Sequence, residues 1–275
     1  MSRYFCTLFL SILFLNDSHG LLLRMSNLAS THSSLFNKIK SALDLKPTEF
    51  ASKYDAATFS KNGFEGTCEW WDETIGSKLT GVSSNVIQNK GTGFAMYSIN
   101  CWMGPAYNCP HMLLSLMVNP FPFQGVGIRA DLLARGPTPL GSDQTVVETY
   151  YGKEVIAWYD KAVAITGATP LPPLPTFSGR LLRSPVELAI AGLDESAAAS
   201  LTAEHVERWL QYVLEAKQNE ARSRGAINTR DDKQRQYQFR AELFDCTAWV
   251  GADFGGSLGA ARTGPIAEAY VGGGG

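Results

Sequence analysis

An α+β fold, an antiparallel sheet covered by helices, is predicted by three features of the chain. Four strand-length runs, residues 78–88, 92–102, 112–118 and 126–133, follow one another across short breaks. Helical periodicity takes over from Gln144 to Ile165 and returns after Ser200. Between those helical stretches, residues 186–191 revert to strand composition and are expected to rejoin the sheet. Strands joined by short turns pair antiparallel, because a parallel neighbour needs a long crossover.

The N-terminal part reads differently. Arg3 precedes an apolar run, Tyr4 to Leu15, too short to span a bilayer comfortably and suited to the core of a signal peptide. Residues 21–47 are Ser-rich and basic, with Arg24, Lys38, Lys40 and Lys46 against Asp44 alone, which is the look of a transit segment. The expected division is a signal-like leader over 1–20, a transit-like and poorly ordered segment over 21–62, one domain over 63–271 and a disordered tail over 272–275. Such a leader points to a plastid lying inside an extra membrane; secretion, or a start at Met25, is the alternative. No later run is long and apolar enough to cross a membrane. The formal charge of −2 over 275 residues argues against a nucleic-acid surface.

Each element has its own warrant. Asn89-Lys90-Gly91 breaks the first two strands as a hairpin turn does. Pro120 and Pro122 separate the central pair, 112–118 and 126–133, and suit a turn better than a sheet interior. Polar residues are scarce in this central hairpin, so His111, Ser115, Arg129 and Asp131 stand out. A carboxylate on an apolar strand needs a partner or a raised pKa, which leaves Asp131 open to a structural or a functional role. His111 is either a core histidine at a strand end or a ligand-facing donor. Val147, Tyr151, Ile156, Tyr159 and Val163 form a loose helical stripe. The proline-rich stretch 169–175 is an extended connector. Ser200 or Thr202 is the expected cap of a helix with Val206, Leu210, Val213, Leu214 and Lys217 on one face, where His205 reads as a surface residue. From Lys217 to Arg240 seven basic residues stand against three acids, and a second helical stretch runs to about Val250.

Several chemistries lack their motifs. Gly125-Val126-Gly127-Ile128-Arg129-Ala130 has dinucleotide-binding spacing, but a Pro-Phe-Pro turn precedes it and a strand-like run follows where a helix is required. There is no G-x-S-x-G, P-loop or H-E-x-x-H motif. The four histidines are scattered and no two cysteines have C-x-x-C spacing, so neither a metal site nor a redox dithiol is indicated. Cys101 and Cys109 are either close enough to pair or, more in keeping with buried cysteine in general, free thiols.

The ordered residues resemble the red chlorophyll catabolite reductases and, more distantly, the ferredoxin-dependent bilin reductases. Trp71 and Lys78-Leu79-Thr80-Gly81-Val82 resemble an early Trp-bearing and K-x-x-T-G-V segment. Residues 110–117 followed by 128–135 resemble paired strands in which an acidic residue opens a D-L-x-x-R stretch. Arg180 with Ser184-Pro185 is similar to the segment before the next strand. Asp232-Lys233, Asp245 and Phe254-Gly255 resemble the C-terminal pattern, and residues 240–245 are similar to the bilin reductases' R-A-E-N-D-P-A with one extra residue.

That resemblance implies a three-layer α/β/α sandwich with a central, mainly antiparallel sheet. It implies reduction of a linear tetrapyrrole by single electrons from ferredoxin as external donor, with no bound metal or flavin, and it leaves room for a homodimer. Red chlorophyll catabolite is the first substrate expected and a bilin the second. The protein's part is to supply protons, for which Asp245 is the first candidate and Asp131 the second. A free Asp is largely ionised at neutral pH, and desolvation against a flat apolar ligand would raise its pKa. Arg180 and Arg183 are candidates to clamp a propionate, or else surface charges. Glu242 is a candidate contact more readily explained as a surface residue, and the basic 217–240 segment is either a ferredoxin dock or a solvated helix face. The chain also departs from its relatives. Ser115 falls where the chlorophyll-catabolite enzymes place a Glu, and Leu114 near the position of the bilin-reductase His. Either the chemistry runs through Asp131 and Asp245, or the protein binds a tetrapyrrole without reducing it.

Overall fold

The computed structural model describes residues 18–73, 78–120, 122–133, 135, 148–176, 180, 183–218 and 221–264. Nine strands form one sheet in the order β1-β3-β4-β5-β6-β7-β9-β8, every pairing antiparallel, with β2 also on β3. The strands are β1 Leu45–Thr48, β2 Thr58–Lys61, β3 Phe64–Glu73, β4 Leu79–Asn89, β5 Phe94–Met103, β6 His111–Val118, β7 Val126–Leu133, β8 Thr169–Pro170 and β9 Leu188–Leu193. The helices are α1 Ser18–Leu43, α2 Lys153–Val163, α3 Glu195–Glu215, α4 Ala221–Val250 and α5 Ala252–Thr263. The result is the expected three-layer sandwich, and both expected hairpins, β4–β5 and β6–β7, form within a residue or two of their predicted bounds.

Strand alternation sorts the sheet into two unlike faces. Tyr97, Ile99 and Cys101 of β5, Met112, Leu114 and Leu116 of β6, and Ile128, Ala130 and Leu132 of β7 build the larger core with α1, α2 and α3. The opposite face carries Ser83 and Asn85 of β4, Ser98 and Asn100 of β5, Ser115 of β6, and Arg129 and Asp131 of β7, in register across four adjacent strands. Apolar residues flank this polar band at both ends. Cys68, Ile87, Met96 and Met117 pack with Cys246, Val250, Leu258 and Ala261 of α4 and α5, and Trp70, Trp102, Leu113 and Leu133 form a smaller cluster. The indole of Trp70 lies where a Cβ at Gly264 would meet it at 2.2 Å, so that glycine lets the end of α5 approach β3.

Three expectations about the elements need correction. The segment 21–62, expected to be poorly ordered, is built into the domain: Leu28, Phe36 and Ile39 of α1 are buried against the sheet, and β1 and β2 pair along one edge of β3. Its basic, Ser-rich residues are the solvent side of an amphipathic helix whose apolar positions recur every three or four residues. The helix expected from Ser200 or Thr202 starts six residues sooner. Asp194 caps it by accepting the Ala197 N–H at 2.7 Å, while Thr202 lies inside it and bonds the Ala198 carbonyl at 2.8 Å. His205 is buried there on Trp158, ring centroids 5.2 Å apart, whereas Leu214 and Lys217 are exposed. The cysteines at 68, 101, 109 and 246 are free thiols, so Cys101 and Cys109 do not pair. Residues 1–17 of the expected leader over 1–20, the upstream end of the helical stripe at Val147 and the expected tail over 272–275 lie outside the described residues. No helix among the described residues is long and apolar enough to cross a membrane.

Candidate active site

The site forms where β7 outruns its neighbour. β9 pairs with β7 only as far as Ala130↔Leu188, so the outer edge of β7 beyond that point is met by side chains and by the segment leading into β9. Tyr151 Oη donates to the Leu132 carbonyl at 2.8 Å. Asp131, 2% exposed, accepts the Ser184 backbone N–H on Oδ2 at 3.1 Å and the Ser184 hydroxyl on Oδ1. Burial pushes its pKa up to about 6, against the pull of Arg183 and of the two Ser184 hydrogen bonds.

Beside it, Glu187 serves two guanidinium groups. Its Oε1 lies 3.3 Å from Arg129 Nη1 and 3.4 Å from Arg183 Nε. Arg129 also donates to the Pro172 carbonyl at 2.5 Å.

The facing wall is α4. Asp231, Gln234, Arg235, Gln238 and Glu242 recur at helical spacing and are all buried, so the sheet-facing side of this helix is polar. Gln238 donates to Glu242 at 2.7 Å, and Glu242 pairs at 2.5 Å with Arg262 of α5, itself 3% exposed. One turn on, the half-buried Asp245 has its pKa raised to about 6 by burial and by the charge of Glu242, with Arg262, Arg129 and Arg183 acting in the other direction. A cavity of about 40 Å³ lies between the walls, with Asn100, Ser115, Arg129, Asp131, Gln238 and Glu242 among its lining. Gln238 Oε1, on a residue of the lining, is buried without a hydrogen-bond partner, and so are Asn85 Oδ1 and Trp102 Nε1 elsewhere on the same sheet face and the Nε and Nη1 of Arg235 on α4. A buried polar atom left unmatched in the lining is what a polar ligand would satisfy.

Of the residues singled out from sequence, Asp131, Ser115, Arg183 and Glu242 line this cavity; Asp245 is not among the lining but lies near enough for its carboxyl to feel the charges of Arg129 and Arg183. Glu242 is buried and ion-paired, which corrects the surface reading. His111 and Arg180 are not part of the cavity lining. Arg180 is exposed and donates to the Leu174 carbonyl at 3.4 Å. His111 is fully buried at the other end of the same face. Its Nδ1 accepts the Met103 N–H at 2.9 Å, which leaves the proton on Nε2, 3.3 Å from Asp231 Oδ1. Burial keeps it neutral, with a pKa down to about 4.

Asp231 in turn holds Arg135, whose guanidinium also bonds the carbonyls of Gly104, Tyr107 and Cys109 at 3.0 Å each. His111 therefore belongs to a structural clasp joining α4 to the β5–β6 connection. Arg235 is likewise buried and paired with Asp232 at 3.2 Å, so the basic 217–240 segment is not a solvated face throughout, although Lys217, Lys233 and Arg240 are exposed.

Sequence reasoning passed over Glu187, Ser184, Gln238, Asn100 and Arg262 as site residues. The alternating polar pairs Ser83/Asn85 and Ser98/Asn100, and the four-residue steps Gln234, Gln238, Glu242, were the available signals. Among the described residues no group of His, Cys, Asp or Glu is arranged to hold a metal ion.

No family model and no curated protein matches the chain. Among solved structures it is similar to phytochromobilin synthase from tomato, crystallised in complex with biliverdin. The TM-score is 0.61 and the identity 12%, over 85% of this chain and 83% of that one. The chain shares that protein's fold, the antiparallel sheet held between two helical layers.

Proposed function

We propose that the protein binds an open-chain tetrapyrrole between the polar face of the sheet and α4, and reduces it with single electrons delivered by ferredoxin. The observation that carries this reading is a pair of carboxyl groups, Asp131 on the sheet and Asp245 on the facing helix, each with a pKa raised to about 6. An electron added to a conjugated tetrapyrrole produces a basic radical anion, which an acid titrating near neutrality is suited to protonate. Two acids on different elements can serve different carbons of one pigment. Arg129 and Arg183 share the carboxylate of Glu187, and while Asp131 and Asp245 hold their protons the two guanidinium groups keep a net positive charge that can accept a propionate. The fold shared with a protein crystallised with biliverdin supports the tetrapyrrole class. The motif resemblance puts red chlorophyll catabolite ahead of a bilin as substrate.

Pockets for ligands of this kind run to roughly 300–1,000 Å³. The cavity of about 40 Å³ is too small for such a ligand, so the proposed binding requires α4 and α5 to move away from the sheet. The polar lining of both walls makes that separation less costly than parting two apolar faces, since the exposed groups regain hydration.

The test is anaerobic incubation with reduced ferredoxin and either red chlorophyll catabolite or biliverdin, followed by absorbance and product analysis. Consumption of one pigment with a defined reduced product is expected. Ser115 supports a second reading, a tetrapyrrole carrier, because a hydroxyl is a poor proton source where the resembled enzymes have a Glu. A spectral shift on binding with no product, in the wild type and in Ser115→Glu alike, decides for the carrier.

A further inference from the structure

We propose that Ser184 is the positioning residue of the Asp131 acid: its backbone N–H and its hydroxyl grip the two carboxyl oxygens separately, fix the plane of the group beside the cavity and favour release of its proton. This rests on the reading of Asp131 as a proton source.

The geometry divides the work between two donors. The Ser184 N–H, 3.1 Å from Oδ2, can only donate, so Oδ2 stays an acceptor in both protonation states. The acid proton therefore sits on Oδ1, opposite the Ser184 hydroxyl. That hydroxyl is itself oriented, because its oxygen accepts the Val186 N–H at 3.2 Å, and the turn that brings Val186 there is closed by Glu187 N–H to the Ser184 carbonyl at 3.2 Å. With one lone pair engaged by Val186, the hydroxyl keeps its hydrogen and a second lone pair for Oδ1: it donates to the ionised carboxylate and accepts from the protonated acid. Both bonds strengthen when Asp131 is ionised, so both oppose the desolvation that would otherwise hold the proton on the group. A buried carboxyl without them would keep its proton too firmly to transfer it.

The charged groups around Asp131 come from every element packed there. Arg183 and Glu187 flank it in the segment before β9, Arg129 precedes it on β7, Glu242 lines the same cavity from α4 with Asp245 one turn further along that helix, and His205 of α3 lies against its backbone carbonyl. All remain in place when only Ser184 is changed.

The test is an infrared pH titration of the pigment-free protein, following the protonated-carboxyl band that Asp131→Asn removes. In Ser184→Ala the midpoint is expected to rise by about one pH unit, the loss of one hydrogen bond to the ionised form. In Ser184→Thr, which retains the hydroxyl, it should return to the wild-type value. Ser184→Cys, a weaker donor of similar size, should move the midpoint upward as well, and it serves if the alanine variant does not fold. An unchanged midpoint in Ala or Cys, or a shifted one in Thr, overturns the proposal. Because no pigment is present, this result is independent of whether the protein reduces one; a protein that fails every turnover assay can still show the Ser184-dependent midpoint.

Discussion

Replacing Asp131 with Asn should change how stability depends on pH more than it changes stability itself. Asp131 is 2% exposed and titrates at about 6, against an ordinary value of 3.8. The folded protein thus holds this proton more tightly than the unfolded chain does. Its contribution to stability is fully present below the unfolded value and is lost as pH rises through about 6. A shift of about two units at about 1.36 kcal/mol each amounts to about 3 kcal/mol in all, of which about 2.4 kcal/mol is lost between pH 4 and pH 7.5, the unfolded group being already half ionised at the lower limit. Asparagine keeps the shape and can still accept the Ser184 N–H, but it does not titrate. Asp245 carries a similar shift, whereas His111 and Asp231 run the other way, and all three terms are common to both proteins. The assay is urea unfolding of wild type and Asp131→Asn at steps from pH 4 to 7.5, comparing the difference in ΔG at each pH. The difference should drift by about 2.4 kcal/mol in favour of the variant as pH rises over this range. Parallel curves over the whole range would refute the claim that burial raises the Asp131 pKa.

Three other outcomes follow from the same geometry. Asp245→Asn should lower pigment turnover by at least about 100-fold while leaving pigment affinity within a few-fold, as loss of a proton donor does; a matching loss of affinity, read by absorbance titration, would make Asp245 a binding residue instead. Asp231→Ala should destabilise by about 3–5 kcal/mol, because it strands the buried guanidinium of Arg135, and an unchanged denaturation midpoint would mean the clasp holds nothing. Gly264→Ala forces a Cβ to within 2.2 Å of the Trp70 ring at a φ of +98°, and should cost about 1–3 kcal/mol; a neutral thermal shift would mean α5 can back away freely from β3.

The central hairpins and the helices around the sheet were legible because local signals agreed with the fold. Leu, Ile and Val alternate where one sheet face is buried, and Asn89-Lys90-Gly91 and the Pro120/Pro122 loop fall between strands. Composition misled at the N-terminus. Serines and lysines on the outer face of α1 masked Leu28, Leu35, Phe36 and Ile39 on its inner face, and the Asn62-Gly63 pair, with both residues at positive φ, marks the β2–β3 hairpin. In α4 the helix itself was legible, to about Val250, but its part in the site was not. Buried side chains are ordinarily sought among apolar residues, and over 231–242 the inner face of α4 is Asp231, Gln234, Arg235, Gln238 and Glu242.

From about residue 78 onward the sequence by itself determined most of the strands and helices, because those choices rest on side-chain periodicity and turn chemistry within a few residues of one another. It also marked Asp131 and Asp245 as carboxyl groups worth attention. Only the tertiary structure decided that Asp131 meets Ser184 at the end of β7, that Glu187 joins Arg129 to Arg183, and that α4 carries Asp245 into the field of those two arginines. It likewise sent His111 into a buried clasp and left Arg180 exposed. A pKa is set by burial and by charges within a few ångströms, and those neighbours lie on segments far apart along the chain.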